Sequence, residues 1–137
     1  MVEFQLIYEG GLRCTATHGP SGTAIATDAP TDNLGRGEAF SPTDLCATSL
    51  GSCMVTTMAI YAERNGIDFP AGARLDVRKI MTSEPPRRIA RIEVDMKLPL
   101  PPEHPSREEL ERVAINCPVA LSLHPDVEKA MTFDWVG

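Results

Sequence analysis

The chain has 137 residues, of which 42% are hydrophobic and 23% are charged, and this predicts one domain, residues 1–137, with a single sizeable core. Thirteen basic residues against nineteen acidic residues give a net charge of −6, so no basic field is available to bind a nucleic acid. The uncharged stretch 45–61 is rich in Ser and Thr, which argues against a membrane partner. The acidic N-terminal residues lack the pattern of a signal peptide, and this favours the cytoplasm.

The first 28 residues predict a three-stranded antiparallel meander. Apolar residues at 2, 4, 6 and 8 alternate with polar ones, which is typical of a half-buried strand that ends at Gly10 and Gly11. Two further strands are predicted at 12–17 and 23–27, because a turn-rich segment separates these Thr-rich and Ala-rich runs. A long polar loop, 29–40, follows them.

A long helix is predicted to begin after this loop. Ser41 suits the N-cap position, Pro42 the first helical position, and Asp44 can reach back to the cap as in a capping box. The helix is predicted to end near Asn65 and Gly66. Because its apolar residues lie on nearly every side, we expect a central helix that is wrapped by protein.

The second half of the chain predicts a hairpin, a helix and a final strand. The hairpin has strands near Leu75 and over 88–98, where apolar and charged residues alternate, and residues 83–86 supply the turn. The segment 106–109 has the pattern of a capping box and opens a second helix, whose buried stripe includes Cys117. A last strand is predicted at 131–136. This order of elements predicts an α+β domain with segregated helices and strands.

Pro118 must kink the second helix or restart it, because proline cannot donate the backbone hydrogen bond that the helix requires. If the helix restarts, Asn116 or Cys117 caps the new helix. The positive end of that helix then favours a thiolate on Cys117.

The four cysteines favour redox chemistry over a disulfide framework. They lie at positions 14, 46, 53 and 117, without the spacing of a thioredoxin-type motif or a zinc site, in a chain large enough to need no disulfide framework. Free cysteines are also often small buried hydrophobic residues. On spacing alone, that structural interpretation of Cys53 and Cys117 stays open.

Two motifs give the sequence a family resemblance. FSPTDLCATSLGSCMVTTM, and about sixty residues later NCPVALSLHPDV, resemble the OsmC/Ohr superfamily of osmotically induced and organic hydroperoxide resistance proteins, and the order of elements agrees over essentially the whole chain. The resemblance implies the OsmC-like fold, an intertwined homodimer in which antiparallel sheets enclose two central helices.

The resemblance also implies the roles of the cysteines. Cys53 on the central helix corresponds to the thiol that attacks a peroxide, and Cys117 to the thiol that resolves the resulting sulfenic acid as a disulfide. Cys46 is interpreted as a core residue and Cys14 as part of the packing of the sheet.

The residues that activate the thiol match the family pattern less well. The best-characterised peroxidases carry a glutamate in an N-P-E pattern, and Thr43 occupies its place here. Asp44, one residue later, could pair with an arginine or simply cap the helix. Arg13, in the first hairpin, and Arg36, in the long loop, are the two candidates for the activating arginine, and Arg13 is favoured.

The function predicted by resemblance is reduction of organic hydroperoxides by a two-cysteine mechanism, with a small dithiol or lipoyl-type protein as reductant. Met54, Met58 and Leu121 are candidate walls of an apolar pocket, although core packing predicts the same residues. No metal or organic cofactor is expected, because the sulfurs carry the chemistry, and the three histidines lack metal-ligand spacing. The alternatives are a non-enzymatic protein that binds a small apolar ligand or senses redox state, and a redox protein that acts on the disulfides of other proteins.

Overall fold

A computed structural model describes all 137 residues and divides them into two compact units. Residues 1–46 form the N-terminal unit and residues 47–137 the C-terminal unit. Each unit is built on its own three-stranded sheet. The α+β composition predicted from the sequence is confirmed. The single-domain expectation stays a prediction.

The N-terminal unit is the predicted meander. β1 (Phe4–Gly10), β2 (Arg13–His18) and β3 (Ala24–Asp28) pair antiparallel in that order. The expected half-burial of β1 is not found within this unit, because the side chains of its first six residues are exposed. The loop after β3 contains a 3-10 turn at Thr31–Asn33.

The central helix, α1 (Pro42–Arg64), begins and ends as predicted. The Ser41 N–H donates to Asp44 Oδ2 at 2.9 Å, and the Asp44 N–H donates to Ser41 Oγ at 3.1 Å, so the capping box is formed. The expectation that protein wraps the helix is wrong for the chain alone, since Ile60 and Thr56 are exposed. By length and composition α1 could also cross a membrane, a property it shares with many core helices.

The C-terminal unit contains the hydrophobic core. Its sheet has the order β4 (Arg74–Met81), β5 (Ile89–Leu98) and β6 (Glu128–Trp135). Alternate residues of β5 are buried, as their pattern predicts. A Cβ on Gly51 of α1 would lie 3.0 Å from Val77 Cγ2 of β4, so this glycine permits the close approach of the helix to the sheet.

One pairing corrects the expectation of wholly antiparallel sheets: β5 and β6 are parallel. A parallel pair needs a long crossover connection, and residues 99–127, which include two helices, provide it. The sequence pattern gave the position of β6 but carried no information on its direction.

The crossover consists of α2 (Arg107–Ile115) and α3 (Pro118–Ser122), so the chain restarts its helix at Pro118, with Cys117 as the N-cap. The capping box predicted at 106–109 is not formed, because the Ser106 side chain makes no capping hydrogen bond. Instead, the Ser106 N–H donates to Nδ1 of His104 at 3.1 Å.

Candidate active site

Two cysteines from different helices meet within the C-terminal unit. Cys53 lies in the middle of α1, and Cys117 lies at the break between α2 and α3. The Cys53 thiol helps to raise the pKa of the Cys117 thiol, so the two side chains are neighbours, and both thiols are free. Residues 64 positions apart in the sequence are thus brought close together, which a disulfide between them would require.

The environments of the two thiols differ. Cys117 is fully buried, whereas Cys53 is partly exposed. Burial raises the pKa of the Cys117 thiol, and the neighbouring Cys53 raises it further. Hydrogen bonds from the backbone of Ala120 and Val119 lower this pKa, but by less than burial raises it. The sequence-based expectation of a thiolate on Cys117 is therefore wrong, because desolvation outweighs the positive end of a helix only five residues long.

Cys53 has a second polar neighbour on its own helix. Its Sγ lies 3.8 Å from Oγ1 of Thr57, one helical turn further along α1. The partly exposed Cys53 thus lies beside a hydroxyl and a buried thiol whose pKa is raised. The assignment of Cys53 as the attacking thiol stays a prediction.

Arg13 belongs to a cluster of charges in the N-terminal unit. Its guanidinium lies 3.8 Å from Asp28 and 3.3 Å from Glu38, while Arg36 lies 4.0 Å from the same Glu38. The Asp28 side chain is fully buried, and its Oδ2 accepts the Glu38 N–H at 3.0 Å. Its Oδ1 has no hydrogen-bond partner. Arg13 is therefore held in place, whereas Arg36 is largely exposed.

Thr43 and Asp44, at and beside the place of the family glutamate, make their contacts at the N-terminus of α1. The Asp44 carboxylate accepts the Ser41 N–H, which is the capping role, and Thr43 Oγ1 lies 3.2 Å from Ser41 Oγ. The capping interpretation of Asp44, left open by the sequence, is thus realised in the structure. An activating role for Thr43 or Asp44 stays a prediction.

The pocket candidates occupy different environments. Met54 and Met58 are completely buried in the core of the C-terminal unit, whereas Leu121 of α3 is 72% exposed. Their role as pocket walls stays a prediction. Cys14 is half-buried in β2, opposite Thr27 of β3, which fits sheet packing.

The remaining candidate chemistry is sparse. The His124 ring accepts the Asp126 N–H, and the His18 ring contacts Ser21 Oγ in a turn. No group of three or more His, Cys, Asp or Glu side chains is placed to hold a metal ion.

Comparison with known proteins gives the family. A family model described as "OsmC-like protein" matches residues 35–130, which include both cysteine motifs. The chain belongs to the OsmC-like family. No curated protein sequence matches it.

Solved structures of this family share the fold over nearly their whole length. A protein from Psychrobacter arcticus 273-4, named for osmotic stress induction and a detoxification response, is 41% identical, with a TM-score of 0.89 over 97% of this chain and 96% of that one. An organic hydroperoxide resistance protein OsmC from Legionella pneumophila is 13% identical, with a TM-score of 0.76 over 98% and 96%. An OsmC-like protein from Mycoplasma pneumoniae is 15% identical, with a TM-score of 0.78 over 100% and 98%.

Sequence reasoning missed three residues around these groups. Thr57 lies four residues after Cys53, a helical spacing that would have revealed the contact. Asp28 and Glu38 come from the end of β3 and from the loop. Nothing in the local sequence indicates that the Asp28 carboxylate is buried beside Arg13, because this contact depends on how the loop folds back.

Proposed function

We propose that this chain is a thiol-dependent peroxide reductase of the cytoplasm, that it acts as a homodimer, and that it prefers organic hydroperoxides to hydrogen peroxide. The observation that carries the proposal is that the partly exposed thiol of Cys53 and the buried thiol of Cys117 are neighbours that interact. Membership of the OsmC-like family and the hydroperoxide resistance named for the Legionella protein support it.

In the proposed reaction, the Cys53 thiolate attacks one oxygen of the hydroperoxide. An S–O bond forms while the O–O bond breaks, and the leaving alkoxide takes up a proton to become an alcohol. Cys53 is now a sulfenic acid. The sulfur of Cys117, after losing its proton, attacks the Cys53 sulfur; an S–S bond forms, the S–O bond breaks, and hydroxide leaves with that proton as water.

A dithiol closes the cycle. A small dithiol or a lipoyl-type protein transfers two electrons to the Cys53–Cys117 disulfide, and its own thiols become a disulfide. No metal or organic cofactor enters these steps. Burial of Cys117 supports the assigned order, since a buried thiol with a raised pKa is a poor first nucleophile.

Arg13 is assigned as the activating cation. A guanidinium near a thiolate stabilises the negative charge and polarises the peroxide bond. The ion pairs with Asp28 and Glu38 hold the Arg13 side chain in place, whereas the Arg36 side chain is 76% exposed, and this favours Arg13. Leu121, an exposed apolar residue on the helix that Cys117 caps, supports an alkyl-bearing substrate.

Thiol mapping tests the proposal directly. The reduced protein receives one equivalent of cumene hydroperoxide or hydrogen peroxide, and the disulfides formed are located by mass spectrometry. We expect a Cys53–Cys117 disulfide, formed faster with cumene hydroperoxide, and none in Cys53→Ser. In Cys117→Ser, dimedone should trap a sulfenic acid on Cys53. The controls Cys14→Ser and Cys46→Ser should behave as the wild type does. The proposal fails if Cys53 and Cys117 both stay reduced in the wild type and in these two variants.

A second candidate function is a redox sensor or ligand-binding protein without turnover. The observation in its favour is that the Asp44 carboxylate caps α1, while Thr43 stands in the place of the family glutamate. Steady-state consumption of cumene hydroperoxide with dihydrolipoamide separates the two. Sustained consumption identifies a peroxidase, whereas a single equivalent of disulfide without turnover identifies a sensor.

A further inference from the structure

The geometry points to Thr57 as a further residue of this site, which donates its hydroxyl hydrogen to the sulfur of Cys53 and stabilises the thiolate. The inference rests on the proposed function, because it concerns the thiol that attacks the peroxide. Its basis is the 3.8 Å contact between Cys53 Sγ and Thr57 Oγ1. Thr57 lies within the first family motif, but the resemblance assigns it no role.

Helix geometry keeps the two side chains together. Residues four apart on an α-helix lie on the same face, one turn from each other, so the contact needs no distant element to hold it. Both side chains are half-buried, which limits competition from water. A threonine in a helix can instead donate to the carbonyl four residues earlier, and here that carbonyl also belongs to Cys53. Of these two acceptors on Cys53, the sulfur is the one that lies within hydrogen-bond distance of the hydroxyl.

The charge distribution favours donation to Cys53. Because burial raises the pKa of Cys117, that thiol keeps its proton and can itself donate to Cys53. Within the C-terminal unit, Thr57 Oγ1 lies within hydrogen-bond distance of the Cys53 sulfur, and Cys117 is a further polar neighbour. A thiolate on Cys53 would then accept two hydrogen bonds, and a hydrogen bond to the charged form favours that form.

The hydroxyl transfers no proton and no electrons in the reaction. Its hydrogen bond to the sulfur lowers the free energy of the thiolate before attack, which increases the fraction of reactive protein. Loss of the hydroxyl should therefore slow every reaction that starts from the Cys53 thiolate, alkylation included.

Alkylation by iodoacetamide tests this without requiring peroxidase activity. The rate at Cys53 is followed by peptide mass spectrometry from pH 6 to 10 in the wild type, Thr57→Val, Thr57→Ser and Thr56→Val. Valine has the shape of threonine without the hydroxyl, serine keeps the hydroxyl, and Thr56 is an exposed neighbour that serves as the matched control. Circular dichroism verifies that each variant is folded.

In Thr57→Val, we expect the alkylation rate at Cys53 near neutral pH to fall by up to about tenfold, because the thiolate loses a hydrogen bond. Thr57→Ser should recover most of the wild-type rate, and Thr56→Val should match the wild type. Equal rates for Thr57→Val and Thr56→Val would overturn the inference, as would a Thr57→Ser rate as low as that of Thr57→Val. Failure of the proposed function would look different: peroxide would induce no Cys53–Cys117 disulfide, while the alkylation rates of the variants would still differ as described.

Discussion

The two cysteines of the site differ most in their exposure to solvent. Cys117 is completely buried and has a raised pKa, whereas Cys53 is partly exposed. An alkylating reagent needs both access to the sulfur and a thiolate. Under native conditions at pH 7.5 we expect Cys53 to be modified at least about tenfold faster than Cys117. Peptide mapping of a time course measures both rates, and equal rates would contradict the assignment of Cys53 as nucleophile.

The buried thiol also makes folding stability depend on pH. The pKa of Cys117 is raised in the folded protein, so the folded state binds the proton more tightly than the unfolded state does. This contribution is fully present below the ordinary thiol value of about 8.5 and is lost as pH rises from there toward the raised value. Urea unfolding under reducing conditions at pH 7.5 and 10 should show a larger loss of stability in the wild type than in Cys117→Ser. A loss of the same size in both proteins would contradict this contribution of the Cys117 thiol to stability.

The buried carboxylate of Asp28 connects the long loop to β3. Its Oδ2 accepts the Glu38 N–H, and its side chain is fully buried. Asp28→Ala leaves that N–H without its acceptor, and we expect a loss of about 1–3 kcal/mol in the free energy of unfolding. The control is Glu38→Gln, which removes an exposed ion pair with Arg13 and should cost less than about 1 kcal/mol. Urea unfolding of both variants measures the difference, and equal losses would contradict the anchoring role.

At the scale of single elements, the sequence predicted where helices and strands lie along the chain better than it predicted which strands and side chains they contact. Alternating residues placed β5 correctly, and Ser41, Pro42 and Asp44 gave the start of α1, because these signals are local. The parallel pairing of β6 depends on how the chain crosses over, which no local pattern records. The contact of Cys53 with Cys117 followed from the family resemblance, whereas the Asp28 contacts required the folded loop.

The end of β6 is attached to α2 by a hydrogen bond. The buried Trp135 donates its Nε1–H to Glu111 Oε1 at 2.7 Å, and the Arg107 guanidinium lies 5.5 Å from the centre of the indole ring. Trp135→Phe removes the donor and part of the apolar volume, so we expect a loss of about 2–3 kcal/mol in the free energy of unfolding. Glu111→Gln keeps an acceptor and should cost less. A loss for Glu111→Gln equal to that for Trp135→Phe would show that the charge, not the indole donor, holds the two elements together.

At the scale of the whole molecule, the exposed apolar surface of the N-terminal sheet is the feature that a single chain leaves unexplained. Four apolar residues of β1 are each about 60% exposed, namely Phe4, Leu6, Ile7 and Tyr8, and β1 is an edge strand that pairs only with β2. Exposed apolar residues on an unprotected edge strand are typical of an interface or of an aggregation site. The homodimer expected from the family resemblance would cover this surface.

Substitution of one of these residues tests the dimer. We expect the wild type to sediment as a dimer at micromolar concentration, and Leu6→Glu to shift it toward monomer, because an unpaired charge would be buried in the interface. Lys97→Glu, a charge change at an exposed position of β5, is the control and should leave the dimer intact. Analytical ultracentrifugation over a range of concentrations separates the species. A monomeric wild type would contradict the dimer. A dimer that Leu6→Glu leaves intact would show that the interface lies on a surface other than β1.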